Sequence, residues 1–142
     1  MGDAMIRYKM LVFVSAVAAM CMASAAPARC EEELAPGFGA CIDKAASTAD
    51  HLDCLRTAFD FWDKQLNINF KQAKADCAGG ENAQQCLANL LKAQRAWVQY
   101  KEAMSQVVWD MEGGGSNSRL SANSFLVQET KKQALLLKGS VE

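Results

Sequence analysis

Apolar side chains recur every three or four residues between positions 52 and 77, the spacing that places them on one face of an α-helix. Ser47 precedes this pattern with Asp50 three residues later, which is typical of a capping box. Gly79 and Gly80 follow it, as expected for a left-handed cap at a helix end. The pattern therefore predicts a first long helix over about residues 48–77.

A second apolar stripe recurs every seven residues from Leu90 to Met111 and predicts a helix over about 82–112. The two helices are similar in length and separated by a short turn, so we expect them to pack as an antiparallel hairpin. Glycines 113–115 end the second helix, because a helix interior tolerates glycine poorly. A less regular apolar pattern predicts a third helix over about 122–138. The predicted fold is all-α.

The N-terminus has the three parts of an export signal. Arg7 and Lys9 precede a mostly apolar run over residues 10–22, and small residues follow at 23–25. The run is too short to cross a membrane, which takes ~20 apolar residues. We therefore predict a signal peptide that is cleaved after residue 25, with cleavage after residue 28 as the alternative, and a periplasmic or secreted chain with no stable membrane anchor.

The remaining chain is predicted to form one domain with short flanking segments. The first of these contains three successive glutamates and is expected to be irregular and solvated. The predicted parts are a signal peptide over 1–25, an acidic arm over 26–40, a helical domain over 41–138 and a tail over 139–142.

Composition narrows the function classes. The net charge is −1, which argues against a nucleic-acid binder, and the 51% apolar content argues against a disordered chain. His51 is the only histidine and no cysteine pair has Cys-x-x-Cys spacing, so we predict no metal site and no cofactor. Carboxylates on long amphipathic helices are typical of a solvated face. We therefore predict that the protein is not an enzyme.

Five cysteines remain once Cys21 leaves with the signal. They allow two intrachain bridges and one leftover thiol, and the count alone leaves several pairings open. Export to an oxidising compartment favours bridges over free thiols.

Residues 91–100, Leu-Lys-Ala-Gln-Arg-Ala-Trp-Val-Gln-Tyr, resemble the signature helix of the LprI-type lysozyme-inhibitor family of small exported bacterial proteins. Further similarities follow in the family's order and extend the resemblance over roughly residues 41–138. The similar residues are Cys41, Cys54, Trp62, Asp63, Leu66, Asn67, Gln94, Arg95, Trp97, Tyr100, Gly114, Gly115, Ser116 and Thr130.

The resemblance implies a disulfide between Cys41 and Cys54, which correspond to the cysteines that bracket the family's first turn. Cys77 and Cys86 flank the turn between the two predicted long helices, where facing helix ends would bring them together. We therefore expect a second bridge there, with Cys30 unpaired on the arm.

One departure from the family concerns the last helix. Members usually tie it with a second cysteine pair, whose positions here are Ser105 and Phe125. The missing bridge predicts a third helix that is less firmly attached.

The signature residues are expected to be structural. The aromatic members should pack in the core: they are Trp62, Trp97 and Tyr100. Gln94 lies on the same side of its helix as Trp97, so we expect its amide to bond Asp63 or Asn67 across the hairpin and Arg95 to pair with a carboxylate. Such bonds would fix the register of the two helices.

The function implied by the resemblance is inhibition of a lysozyme, which would be the binding partner. A candidate contact element is the segment 109–118, which carries Trp109, Asp110 and Glu112 and then passes through the glycines to Ser116. The mature chain, which is mildly acidic, suits a basic lysozyme through complementary charge. The alternative is a non-catalytic periplasmic interaction or structural module. The sequence does not specify an oligomeric state.

Overall fold

The computed structural model describes residues 33–139, and four α-helices account for most of them. They are α1 (Phe38–Ile42), α2 (Thr48–Gly79), α3 (Ala83–Met111) and α4 (Ser116–Gly139). No strand occurs within this part of the chain, and the all-α prediction is confirmed. None of the helices described combines the length and hydrophobicity needed to cross a membrane. The predicted signal peptide, residues 26–32 of the arm with Cys30, and residues 140–142 of the tail lie outside the described residues.

The start of α2 is fixed by the predicted capping box. The Asp50 backbone N–H donates to Ser47 Oγ at 3.2 Å, and Asp50 Oδ2 accepts from Ser47 Oγ at 2.8 Å and from the Ala46 N–H at 3.0 Å. The bond from the Ser47 hydroxyl, followed by that from the Ala46 N–H, holds the pKa of the Asp50 carboxyl below its usual range. The exit of α2 differs from expectation, because neither Gly79 nor Gly80 has a positive φ.

Both predicted disulfides are present. Cys41–Cys54 joins α1 to the first turns of α2, with the two Cα atoms 5.8 Å apart. Cys77–Cys86 joins the end of α2 to the start of α3 across the turn, with a Cα separation of 5.3 Å. Together they fix both ends of α2 to the neighbouring segments.

The helices α2 and α3 form the predicted antiparallel hairpin, and α4 returns alongside both. The core lies mainly between α2 and α4 and consists of two clusters of buried apolar residues. The first contains Ala35, Leu55, Ala58 and Val127, and the second contains Leu66, Ala73, Ala134 and Leu137.

The helix α4 is packed more deeply than α3, so the prediction of a loosely attached third helix is wrong. Five of its residues are buried, whereas α3 has none. The side chain of Ala134 is only a methyl group. Its carbonyl oxygen accepts a hydrogen bond from Asn69 Nδ2 of α2 at 2.8 Å. The small side chain of Ala134 allows this close approach between α2 and α4.

The start of α4 also differs from the prediction. The helix begins at Ser116 rather than near residue 122. The polar residues 116–118 have the composition of a loop, but Ser118 is fully buried in the structure. Tertiary packing therefore extends the helix beyond the region that local sequence indicates.

The segment before α2 is partly ordered against the bundle. Residues 38–42 form α1, although the arm was predicted to be irregular up to residue 40. Trp62 Nε1 donates to the Leu34 carbonyl oxygen at 2.6 Å, and Lys131 Nζ donates to the Glu33 carbonyl oxygen at 3.0 Å. Residues from Glu33 onward thus belong to the folded body.

Candidate functional site

The candidate contact element lies at the end of the bundle where α3 turns into α4. The connection comprises only residues 112–115 because α4 begins early. Gly113, Gly114 and Gly115 have φ values of +78°, +77° and +107°, conformations that residues with a Cβ rarely adopt. The three glycines therefore reverse the chain within a very short span.

Backbone hydrogen bonds hold this turn in place. The Gly113 N–H donates to the Asp110 carbonyl oxygen at 3.1 Å, and the Gly114 N–H donates to that of Trp109 at 3.3 Å. On the far side, the Arg119 N–H donates to the Gly115 carbonyl oxygen at 3.1 Å. The turn is thus joined to the ends of both helices and is presented by them as an ordered element.

The Trp109 side chain packs against the turn. Its half-buried indole lies against Gly114, where a Cβ atom would stand 3.8 Å from ring atoms Cζ2 and Nε1. A flat ring beside a residue with no side chain gives close packing of backbone on aromatic surface. We therefore assign Trp109 to shaping the turn rather than to protruding from it.

The surface beside the turn is acidic and apolar. Asp110 and Glu112 are exposed, and the Asp110 carboxylate accepts a bond from Gln106 Nε2 at 2.9 Å. Met111 lies between them with 82% of its surface exposed. The dipole of a helix opposes carboxylates in its last turn, and α3 carries no basic residue there. Stabilisation of α3 therefore does not explain the two carboxylates.

The aromatic signature residues are less buried than predicted. Trp62 is half-buried and packs against both core clusters, and Trp97 is half-buried and packs against the second. Tyr100 is 49% exposed, so its assignment to the core is wrong. It lies at the edge of the face that α3 packs against its neighbours. Helical spacing alone does not distinguish a residue at the edge of such a face from one at its centre.

The hydrogen bond of the Gln94 amide also connects different helices from those predicted. Gln94 Oε1 accepts from Gln133 Nε2 of α4 at 3.0 Å. Asn67 Nδ2 instead bonds Asp63 within α2, at 2.8 Å to the carbonyl oxygen and 3.0 Å to Oδ2. The amide pair therefore fixes the register of α3 against α4 rather than against α2.

Two other signature residues have contrasting environments. Arg95 is exposed on α3. Thr130 is buried in α4, and its hydroxyl donates to the Leu126 carbonyl oxygen at 2.8 Å. This bond satisfies the only side-chain donor of the threonine within its own helix, so the residue packs in the core without a polar partner on α2 or α3.

An exposed apolar surface on α3 was missed by the sequence analysis. Tyr100, Val107 and Met111 lie at spacings of seven and four residues, and all three are exposed. The available signal was the offset of Tyr100 and Val107 from the Trp97 stripe, but Met111 lies on that stripe, and an apolar side chain gives no sign of whether a neighbour covers it. Among residues 33–139, no three His, Cys, Asp or Glu side chains come together as a metal site would require.

Comparison with known proteins gives one match. The family model described as "Lysozyme inhibitor LprI" matches residues 41–137, which comprise most of the described structure. No curated protein and no solved structure matches the chain.

Proposed function

We propose that this chain, which belongs to the LprI lysozyme-inhibitor family, binds a lysozyme and blocks its hydrolysis of the cell wall without catalysing a reaction itself. The family match over residues 41–137 is the observation that carries the proposal. The match covers both disulfides, all three long helices and the turn between α3 and α4.

The structure supports this proposal by pairing a firm scaffold with a presented element. An inhibitor gains affinity when its contact residues are already ordered, because less conformational entropy is lost on binding. The disulfides, the packing of α4 and the backbone bonds of the turn provide that order. The exposed carboxylates of Asp110 and Glu112 complement the positive surface of a basic lysozyme.

The proposed location is the periplasm or the cell exterior. Disulfides persist in oxidising compartments, and both bridges of this chain lie in the folded body. Lysozymes also act outside the cytoplasm, so inhibitor and target would meet there.

A lysis assay tests the proposal. The purified protein, with its disulfides intact, is added to cell-wall suspensions with lysozymes of the chicken, goose and invertebrate types. We expect it to slow clearing by at least one type in proportion to its concentration. Clearing at the uninhibited rate with every type would refute the function and favour a non-catalytic interaction or structural module.

A double variant tests the role of the turn. Asp110→Ala with Glu112→Ala should weaken inhibition while leaving the circular dichroism spectrum unchanged. The matched control is Asp76→Ala with Glu81→Ala, which removes two exposed carboxylates near the opposite end of the bundle. Equal inhibition by both double variants would exclude the turn as the contact element.

A further inference from the structure

The helix α3 carries an exposed apolar surface that no other helix covers. Tyr100, Val107 and Met111 are 49%, 41% and 82% exposed, and their spacing places them on the same side of the helix. We refer to these three residues as the outer flank. The outer flank extends over about 16 Å at 1.5 Å per residue.

The outer flank is continuous with the acidic turn. Met111 is its last member and lies between Asp110 and Glu112 in the sequence. The surface thus has an apolar strip with carboxylates at one end. Protein interfaces commonly combine an apolar centre with a polar rim in this way.

Charge is unevenly distributed along the bundle. The half that contains the turn, residues 48–63 and 98–127, has seven carboxylates and three basic side chains. The other half, residues 64–97 and 128–139, has eight basic side chains and three carboxylates. Because α2 and α4 run antiparallel to α3, the acidic segments meet at the end of the bundle that presents the turn.

We infer that the outer flank and the acidic turn together form the surface that contacts a cationic lysozyme. This inference rests on the proposed function and specifies its interface. The carboxylates attract a basic partner to this end of the bundle, and the opposite half repels it. The outer flank then supplies the apolar contacts, since aromatic residues and methionine are enriched in such interfaces.

The outer flank and the carboxylates of the turn should affect different rates of complex formation and loss. Charges around an interface mainly accelerate association in a salt-dependent manner, whereas well-packed apolar contacts mainly slow dissociation. The outer flank should therefore determine how long the complex persists, and the carboxylates should determine how fast it forms.

The test measures binding to an immobilised cationic chicken-type lysozyme. The flank variant is Tyr100→Ala with Met111→Ala, and the matched control is Ile68→Ala with Leu135→Ala. The control residues are also exposed, at 52% and 44%, but they lie in the basic half. Urea unfolding of each variant establishes that the fold is retained.

We expect the flank variant to bind at least tenfold more weakly, mainly through faster dissociation, and the control to stay within twofold of the unaltered protein. The Asp110→Ala, Glu112→Ala variant should instead associate more slowly and show a weaker dependence of that rate on salt.

The outcomes separate this inference from the proposed function. If the unaltered protein binds and inhibits but the flank variant does so equally well, the outer flank is not the interface and the proposed function stands. If sedimentation shows that the flank variant dissociates a dimer without losing lysozyme affinity, the outer flank joins two copies of the chain instead. Failure of the unaltered protein to bind any lysozyme overturns both.

Discussion

Replacement of Trp97 by alanine tests whether one side chain attaches α3 to the rest of the bundle. Trp97 packs against the second core cluster, which contains residues of α2 and α4, and no residue of α3 is fully buried. Lys101 Nζ lies 5.4 Å from the centre of its ring and adds a cation–π contact. Trp97 is therefore the largest apolar contact that α3 makes with this cluster.

The magnitude follows from its partial burial. Trp→Ala in a fully packed core costs about 3–5 kcal/mol. Trp97 buries at least about two thirds of its surface, roughly 140 Å², which at ~25 cal/mol per Å² corresponds to about 3.5 kcal/mol. The cation–π contact adds about 0.5 kcal/mol. We expect Trp97→Ala to lower the free energy of unfolding by about 4 kcal/mol.

The assay is urea unfolding of the oxidised protein, followed by circular dichroism. The control is Tyr100→Ala, which removes another aromatic side chain of α3 that is 49% exposed and belongs to neither core cluster. We expect the control to cost clearly less, about 1 kcal/mol. A loss for Trp97→Ala that does not exceed that of the control would show that other contacts hold α3 in place.

Two further predictions concern single polar groups. The Ser118 hydroxyl is buried and has no hydrogen-bond partner among the described residues. Ser118→Ala should therefore raise the free energy of unfolding by about 1 kcal/mol in the same urea assay. A decrease would mean that the hydroxyl forms a hydrogen bond in the folded protein. The pKa of the Asp50 carboxyl is lowered in the folded protein, first by the hydrogen bond from the Ser47 hydroxyl. The ionised carboxylate therefore stabilises the fold fully at a pH above the usual carboxyl range, and this stabilisation is lost as the pH falls through the lowered pKa. Asp50→Asn should therefore lose less thermal stability than the unaltered protein between pH 6 and pH 2, and identical losses in a melting experiment would contradict this.

Local sequence specifies α2 and α3 well because each helix buries one continuous face. The capping residue Ser47 and the glycines beyond each helix fix their ends, and the turn between them places Cys77 beside Cys86. These features depend on residues that are close in sequence, and they could be predicted.

The packing of α4 could not be predicted in the same way. Its buried positions 127, 130, 134 and 137 recur every three or four residues on one face, but a threonine and an alanine occupy two of them, whereas Leu135 and Leu136 are exposed. Val127 belongs to the first core cluster and Ala134 to the second, whereas the Gln133 side chain donates a hydrogen bond to Gln94 of α3. Because polar and small residues take buried positions and leucines take exposed ones, the apolar pattern of α4 looks irregular although the helix packs along one face.

The candidate site was only partly predictable for a related reason. Asp110, Glu112 and the glycines were identified from residue type, since charge and missing side chains are visible in sequence. Met111 was assigned to the buried stripe and Tyr100 to the core beside it, because helical spacing does not reveal where the neighbouring helices end. The exposed part of α3 depends on the position of α4, which involves contacts distant in sequence.

The placement of the disulfides has a consequence for the integrity of the chain. Both cross-links lie between residues 41 and 86, so the glycine turn is the only covalent link between the 24-residue α4 and the rest of the described bundle. A protease cut between Gly114 and Gly115 would leave α4 held by packing alone. The protein therefore has a natural division into two complementing fragments, of which the smaller could be exchanged between molecules.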